Sequence, residues 1–328
     1  MNEARFRILN LDPEHYSPQA RGILEQVAHV DDGPVDRQRL GDVIGRYDAL
    51  VLRFSHQIDE SLLSRASRLK AIGTNTTGLD HIDTEAAARL GIEIVSLRGE
   101  VEFLRGIHAT AELTWGLLIA LIRNIPQAAA SAAQGGWHRD LFLGHELGGR
   151  TIGILGMGRI GEKVARYAHA FLMVVRAYDT DPAVRQRSAG VIWHDSLQSM
   201  LENIDILSIH VPLTSATDGL IGRQQLACLR NEALVINTSR GEIVDEAALV
   251  DVLRQGKVSG YAADVLSGER TPGFPYANPI WRYCQEGGNV LLTPHIGGAA
   301  CEAWEKTELF VARNLVSALT QKARCAPI

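Results

Sequence analysis

The stretch from Thr151 to Asp179 constrains this 328-residue chain more than any other. Thr151 to Leu155 (T-I-G-I-L) is a short apolar run suited to a buried parallel strand. Gly156, Gly158 and Gly161 follow as G-x-G-x-x-G, and a helical pattern opens at once. A second apolar strand, Met173 to Tyr178, ends in Asp179, 18 residues after Gly161. Gly156 permits the tight turn, Gly158 lets backbone approach a pyrophosphate, and Gly161 lets the helix pack against the strand. The helix N-terminus offers unpaired N–H groups and a positive dipole end to phosphates. Asp179 is placed to accept hydrogen bonds from adenosine ribose hydroxyls, and its charge would repel a 2′-phosphate. A lone glycine turn is weak evidence. With strand, helix, second strand and terminal acid in order, it points to a dinucleotide site that prefers NAD.

The same alternation runs through the rest of the chain. Strands are expected at Phe6–Leu9, Ala49–Leu52, Leu69–Ile72 and Ile92–Val95. Helices are expected at Pro18–His29, from about Asp59 to Ser67, and at Thr84–Leu90, with Thr84 as cap and Gly91 as stop. This first α/β unit has no phosphate-binding glycines. An apolar helix, Ala109 to Asn124, must be buried in a core or between subunits, and a second helical pattern starts at Pro126. After Asp179 come strands at Ile204–Ile209, Ala233–Asn237, Val258–Ala263 and Val290–Leu292, a helix over Asp245–Gln255, and a last helix over Ala299–Gln321. Alternation of this kind implies parallel sheets covered by helices on both faces. In such sheets ligands sit beyond the carboxyl ends of the strands. Asp179, His210, Arg240, Asp264 and His295 all fall there.

Composition excludes several classes. A net charge of −5 with scattered basic residues argues against nucleic-acid or membrane-surface partners. No apolar stretch approaches the ~18 residues of a membrane span, and the charged N-terminus does not resemble a signal peptide. The four cysteines make no C-x-x-C pair and match no zinc spacing, so reduced thiols, a cytoplasmic protein and no metal site are expected.

A nicotinamide enzyme needs a proton shuttle and a group that holds and polarises its substrate. His295 is the strongest shuttle candidate, Glu269 its favoured carboxylate partner, and Arg240 can offer a bidentate fork to a substrate carboxylate. The segments G-M-G-R-I-G, H-V-P-L-T-S-A-T, N-T-S-R-G-E-I-V-D-E-A-A-L, A-A-D-V-L-S-G-E and T-P-H-I-G-G occur in this order. Through them the chain resembles the D-isomer-specific 2-hydroxyacid dehydrogenases, phosphoglycerate dehydrogenase-like, over nearly its full length.

That resemblance implies two Rossmann-like doubly wound parallel-sheet domains. A nucleotide domain, residues 101–296, would be inserted into a discontinuous, flavodoxin-like substrate domain, residues 1–100 and 297–328. It implies that Arg240 binds substrate carboxylate and carbonyl, that His295 is the acid/base and that Glu269 pairs with it. It assigns cofactor contacts to Gly156, Gly158, Arg159, Ile160, Gly161, Asp179, His210, Pro212, Thr217, Thr238, Ser239, Asp264, Gly297 and Gly298. Substrate contacts fall to Arg53 and to the loop of Asn75, Thr76 and Thr77. It implies a homodimer formed through nucleotide-domain helices, with the helix around Leu113–Ile122 in the dimer arm.

There are departures from the family. Arg270 follows Glu269 where a proline is usual. The segment Arg98–His108 is longer than in phosphoglycerate dehydrogenases and lacks their N-x-P pattern. Its Arg98, Arg105 and His108 would suit a second anionic group on the substrate. With Glu100 and Glu102 interleaved, it reads equally as an exposed hinge. No regulatory domain is expected beyond the last helix. The reaction implied is reversible NAD-dependent oxidation of a D-2-hydroxy acid to its 2-oxo acid. The alternative is a non-turnover NAD(H) sensor, as in corepressors resembling this family. The complete Arg240, Glu269 and His295 set favours the enzyme.

Overall fold

A computed structural model of the chain describes residues 6–33, 36–187, 189–271 and 273–325. The start of the charged N-terminus, residues 1–5, lies outside the described residues. Contacts divide the chain into two compact units, Met1–Ile107 with Ala299–Ile328, and His108–Gly298.

Unit 1 has a parallel sheet of β1 (Phe6–Asn10), β2 (Ala28–Asp32), β3 (Ala49–Leu52), β4 (Ala71–Thr74) and β5 (Glu93–Val95), in the order β2-β1-β3-β4-β5. That is a flavodoxin-like order. Ala49 of β3 pairs with Ile8 of β1 on one side and Ala71 of β4 on the other, so the central strands are buried on both faces. The long helix Cys301–Cys325 packs on β4, β5 and the helix Pro18–Glu25 through buried Val311, Ala312, Leu315 and Leu319.

Several local expectations give way here. The helix from Pro18 stops at Glu25, not His29, because A-H-V-D-D becomes the edge strand β2, exposed at His29 and Asp32. Asp83, not Thr84, caps the next helix, its carboxylate accepting from Ala86 N–H at 2.9 Å. Asp59 caps a helix that ends at Leu63 rather than near Ser67. The third expected strand moves two residues along, to Ala71–Thr74. Within Arg98–His108 a short helix forms, Val101–Leu104, which buries Leu104 and stacks Phe103 on Phe310 at 4.3 Å.

Unit 2 carries seven parallel strands: β6 (Thr151–Leu155), β7 (Val174–Tyr178), β8 (Val191–Trp193), β9 (Ile206–Ile209), β10 (Ala233–Asn237), β11 (Val258–Ala263) and β12 (Val290–Leu292). Their order, β12-β11-β10-β9-β6-β7-β8, is doubly wound, and the chain reverses direction across the sheet between β6 and β9. Alternation along the strands feeds two separate cores. Ile152, Ile154 and Ile206 enter one with the helices Ala109–Ile122 and Arg159–Ala170; Leu155, Leu207 and Ile209 enter the other with Leu249 and Leu253 of the helix Glu246–Arg254. The apolar helix Ala109–Ile122, expected to be buried in a core or between subunits, packs into this core of unit 2, with Trp115 stacked on Phe171 at 4.7 Å. The next helix, Ile125–Ala133, buries none of its residues.

Candidate active site

The glycine turn closes β6 at the reversal point of the unit 2 sheet. Gly156 sits at φ +90, and a β-carbon on it would lie 2.8 Å from the His210 carbonyl oxygen. A β-carbon on Gly161 would lie 2.1 Å from the Gly156 carbonyl oxygen, so the first turn of helix Arg159–Ala170 lies directly on the loop. The β-carbon position at Gly158 faces open space, and no side chain caps this helix. Its first N–H groups therefore keep the open, positive end that a phosphate requires. Arg159, on the first turn, is held below the usual guanidinium range by burial. Ile160 packs against the core from the same turn.

Asp179 does more than the sequence indicates. Its Oδ2 accepts from the Met157 N–H at 2.7 Å and its Oδ1 from the Asp181 N–H at 2.8 Å, so it also braces the glycine turn from the end of β7. At the end of β9, His210 Nε2 lies 2.7 Å from Ser208 Oγ, while Nδ1 is buried with no hydrogen-bond partner. Burial pushes this imidazole down to about 3, so it is neutral at physiological pH. Thr217 folds the following loop on itself, donating to the Pro212 carbonyl at 2.6 Å and accepting from Thr214 N–H at 2.8 Å. The open Gly158 turn, the uncapped helix end and the unpartnered His210 nitrogen together fit a dinucleotide.

The loop after β10 is wrapped around buried Asn237, which accepts from Ser239 N–H at 3.0 Å and donates to the Arg240 carbonyl at 2.8 Å. Ser239 Oγ donates to the Ile209 carbonyl, and Thr238 Oγ1 meets Thr114 Oγ1 at 2.9 Å. Arg240 Nη1 donates to the Ser239 carbonyl at 2.7 Å, which draws its guanidinium back along the loop.

Glu269 and His295 meet directly: Glu269 Oε2 lies 2.7 Å from His295 Nδ1. The other oxygen, Oε1, accepts from Leu266 N–H at 2.8 Å, which fixes the carboxylate's direction. His295 stands at φ 56, in the left-handed region that non-glycine residues seldom adopt. Asp264 holds it there. Oδ1 accepts from the Thr293 hydroxyl at 2.6 Å and the Ile296 N–H at 2.8 Å, and Oδ2 from the Gly297 N–H at 2.6 Å. Burial pushes this carboxyl up, against those three hydrogen bonds and the charge of His295. Gly297 also accepts from Thr110 Oγ1 at 3.1 Å, while Gly298 is open.

In unit 1, Arg53, at the carboxyl end of β3, stacks on Trp304 with its guanidinium carbon 4.1 Å from the ring centre. It donates to the Asp12 and Glu14 carbonyls and faces Glu308 at 3.8 Å. Arg53 and Asn75 line a small cavity with Asn10, Tyr16 and Glu308. The Thr76 hydroxyl is spent on the Gly78 carbonyl at 2.8 Å, whereas Thr77 is exposed. Arg105 pairs with Glu102 at 3.3 Å on an exposed surface. Among the described residues no cluster of histidine, cysteine or acidic side chains is placed to hold a metal ion.

Sequence reasoning missed Glu242 and Glu246. Glu246 is buried at the start of its helix, aligned with Leu249, Val250 and Leu253, and accepts from Ser267 N–H and Asn278 Nδ2. An acid at the head of an apolar stripe was the available signal.

Comparison with known proteins shows which family the chain is similar to. Residues 115–297 match the family described as D-isomer specific 2-hydroxyacid dehydrogenase, NAD binding domain. The chain is 37% identical over 315 residues to a D-3-phosphoglycerate dehydrogenase of Methanocaldococcus jannaschii, covering 95% of this chain and 57% of that protein. It therefore spans little more than half of that relative's length. It is 39% identical over 279 residues to a glyoxylate reductase of Aeropyrum pernix, covering 82% of this chain and 79% of that protein. Among solved structures, the TT0316 protein of Thermus thermophilus superposes with a TM-score of 0.81 at 32% identity, covering 96% of this chain and 97% of that one.

Proposed function

This chain belongs to the D-isomer specific 2-hydroxyacid dehydrogenase family, and from that premise we propose that it is an NAD-dependent enzyme interconverting a D-2-hydroxy acid and its 2-oxo acid. The observation that carries the reading is the 2.7 Å contact between Glu269 Oε2 and His295 Nδ1. A carboxylate there holds the proton on Nδ1, which leaves Nε2 to exchange a proton with substrate. In oxidation His295 Nε2 takes the hydroxyl proton, and in reduction it returns one to the carbonyl oxygen. Arg240 holds the substrate carboxylate and steadies charge on the carbonyl oxygen. The Gly156–Gly161 turn, Arg159, Asp179 and His210 would hold the dinucleotide. When bound, its nicotinamide supplies the two-electron chemistry, accepting hydride from C2 or giving it back. In unit 1 we assign Arg53 and the Asn75–Thr77 loop to the substrate.

The test is NADH consumption with a panel of 2-oxo acids: glyoxylate, pyruvate, hydroxypyruvate and members with a phosphate or second carboxylate. Turnover of one or more is expected. His295→Ala should cost about 10²- to 10⁴-fold in kcat, and Arg240→Lys should not restore what Arg240→Ala loses, because the fork is absent. No turnover of any member, with NADH still bound, would favour an NAD(H) sensor. The pairing of Arg105 with Glu102 favours the exposed-hinge reading of Arg98–His108 over a second-anion site.

We also propose a homodimer. Trp137, Leu141 and Leu143 are 90%, 72% and 79% exposed, and they follow a helix that buries nothing within the chain. Large apolar side chains left exposed this close together in the chain are what a partner subunit would cover. The free Cys228, Cys284 and Cys301 suit a cytoplasmic location.

A further inference from the structure

Three successive backbone amides of one turn are each taken by a different glutamate. Leu266 N–H donates to Glu269 Oε1 at 2.8 Å, Ser267 N–H to Glu246 Oε1 at 2.8 Å, and Gly268 N–H to Glu242 Oε1 at 3.2 Å. Asn278 closes the arrangement. Its Nδ2 donates to Glu246 Oε2 and to the Ser267 carbonyl, while its Oδ1 caps the helix Pro279–Gln285 at Ile280 and Trp281. Backbone packing leaves the turn no slack: a β-carbon on Gly241 would fall 2.0 Å from both Leu266 C and Ser267 N.

We propose that Glu242 and Glu246 are positioning residues for the Glu269–His295 pair, acting by clamping the backbone of Leu266–Gly268. The inference rests on the roles proposed above for Glu269 and His295. Glu269 uses one oxygen on this same turn and the other on His295, so the position of residues 266–268 sets where Oε2 meets the imidazole. A buried carboxylate is costly unless it is well hydrogen-bonded. Glu246 is 6% exposed and spends both oxygens on holding the turn and Asn278. The helix starting at Glu246 already has its cap in Asp245, which accepts from Ala248 N–H at 2.9 Å. Glu246 is therefore free of the capping duty that an acid at a helix start often performs.

The test is a double-mutant cycle on the full chain, with kcat and both KM values measured for reduction of the best 2-oxo acid by NADH. Glu246→Ala should lower kcat about tenfold to a hundredfold and leave KM for NADH within about twofold. In a Glu269→Ala background the same substitution should cost less than about threefold, since the carboxylate it positions is already gone. Glu246→Gln keeps an acceptor for Ser267 and should recover part of the loss. An unchanged kcat in Glu246→Ala, or an equal penalty in both backgrounds, overturns the proposal. An intact rate in Glu269→Ala alone overturns instead the role given to Glu269. If Glu246→Ala does not melt cooperatively, the cycle run with the half-buried Glu242 decides by the same criteria.

Discussion

His295 donates its backbone N–H to the carbonyl oxygen of Asp264 at 2.9 Å, while the Asp264 carboxylate takes the N–H groups of the next two residues. One buried side chain thus keeps an imidazole in a left-handed conformation that few residues tolerate. The sequence resemblance assigns Asp264 to the cofactor, yet the hydrogen bonds of its carboxylate go to the loop carrying His295. Asp264→Asn would set an amide NH2 against the Gly297 N–H or the Thr293 and Ile296 donors. A cost of about 1–3 kcal/mol in urea unfolding is expected, with a lower kcat and NADH affinity nearly unchanged. A large loss of NADH affinity with stability intact would return Asp264 to the cofactor.

Asp179 should enforce NAD over NADP. Asp179→Ala is expected to shrink the ratio of kcat/KM for NAD over NADP, and to lower activity with NAD as well because the Met157 amide loses its acceptor. Asp179→Asn, which keeps an acceptor, should lose selectivity with less damage to the turn. Equal efficiency with both cofactors in the unaltered protein would contradict the assignment.

The Glu246 carboxyl is pushed up from 4.5 to about 7, first by burial and then by Glu242 and Glu269, against its hydrogen bonds from Ser267 and Asn278. Tyr261 faces it from β11. An acid whose folded value is raised favours folding fully below about 4.5, and that contribution is lost as pH rises through about 7. The loss is at most about 3 kcal/mol. Thermal melts at pH 5 and pH 8 check this: the unaltered protein should fall relative to Glu246→Gln between the two. A difference that stays constant with pH would show that Glu246 titrates as an ordinary acid.

Trp137→Glu combined with Leu141→Glu should convert a dimer to a monomer in sedimentation velocity. Unit 2 should keep its melting behaviour, since neither side chain is part of its core. A monomeric unaltered protein, or a double variant that stays dimeric, would remove this surface from assembly.

The parts of this molecule legible in the sequence are those set by local sterics. Gly156 and Gly161 are required by contacts a few atoms away, and Asp245 caps the helix expected near it. β2 and β8 went unread because edge strands need no continuous apolar run: A-H-V-D-D faces solvent at two positions, and V-I-W is three residues long. With Asp83 and Thr84 adjacent, either could cap, and only backbone geometry separates them. The Glu269–His295 contact was legible both from residue chemistry and from the resemblance of whole segments. An acid at the head of an apolar stripe marks Glu246, but the hold of Glu242 and Glu246 on residues 266–268 was illegible because their carboxylates serve backbone amides more than twenty positions away, which carry no side-chain signature.

The helix Cys301–Cys325 fills the groove beside β4, where Gly73 lets Leu315 and Val311 come within 3.1 Å of its β-carbon position. Unit 2 is one continuous segment, whereas unit 1 is completed only by this last stretch of the chain. During synthesis the nucleotide unit can therefore mature first, while the face of the upstream sheet covered by Val311, Ala312, Leu315 and Leu319 waits for a helix not yet made. Apolar surface left open in that interval is what invites aggregation, and shortening the C-terminal helix would leave it open.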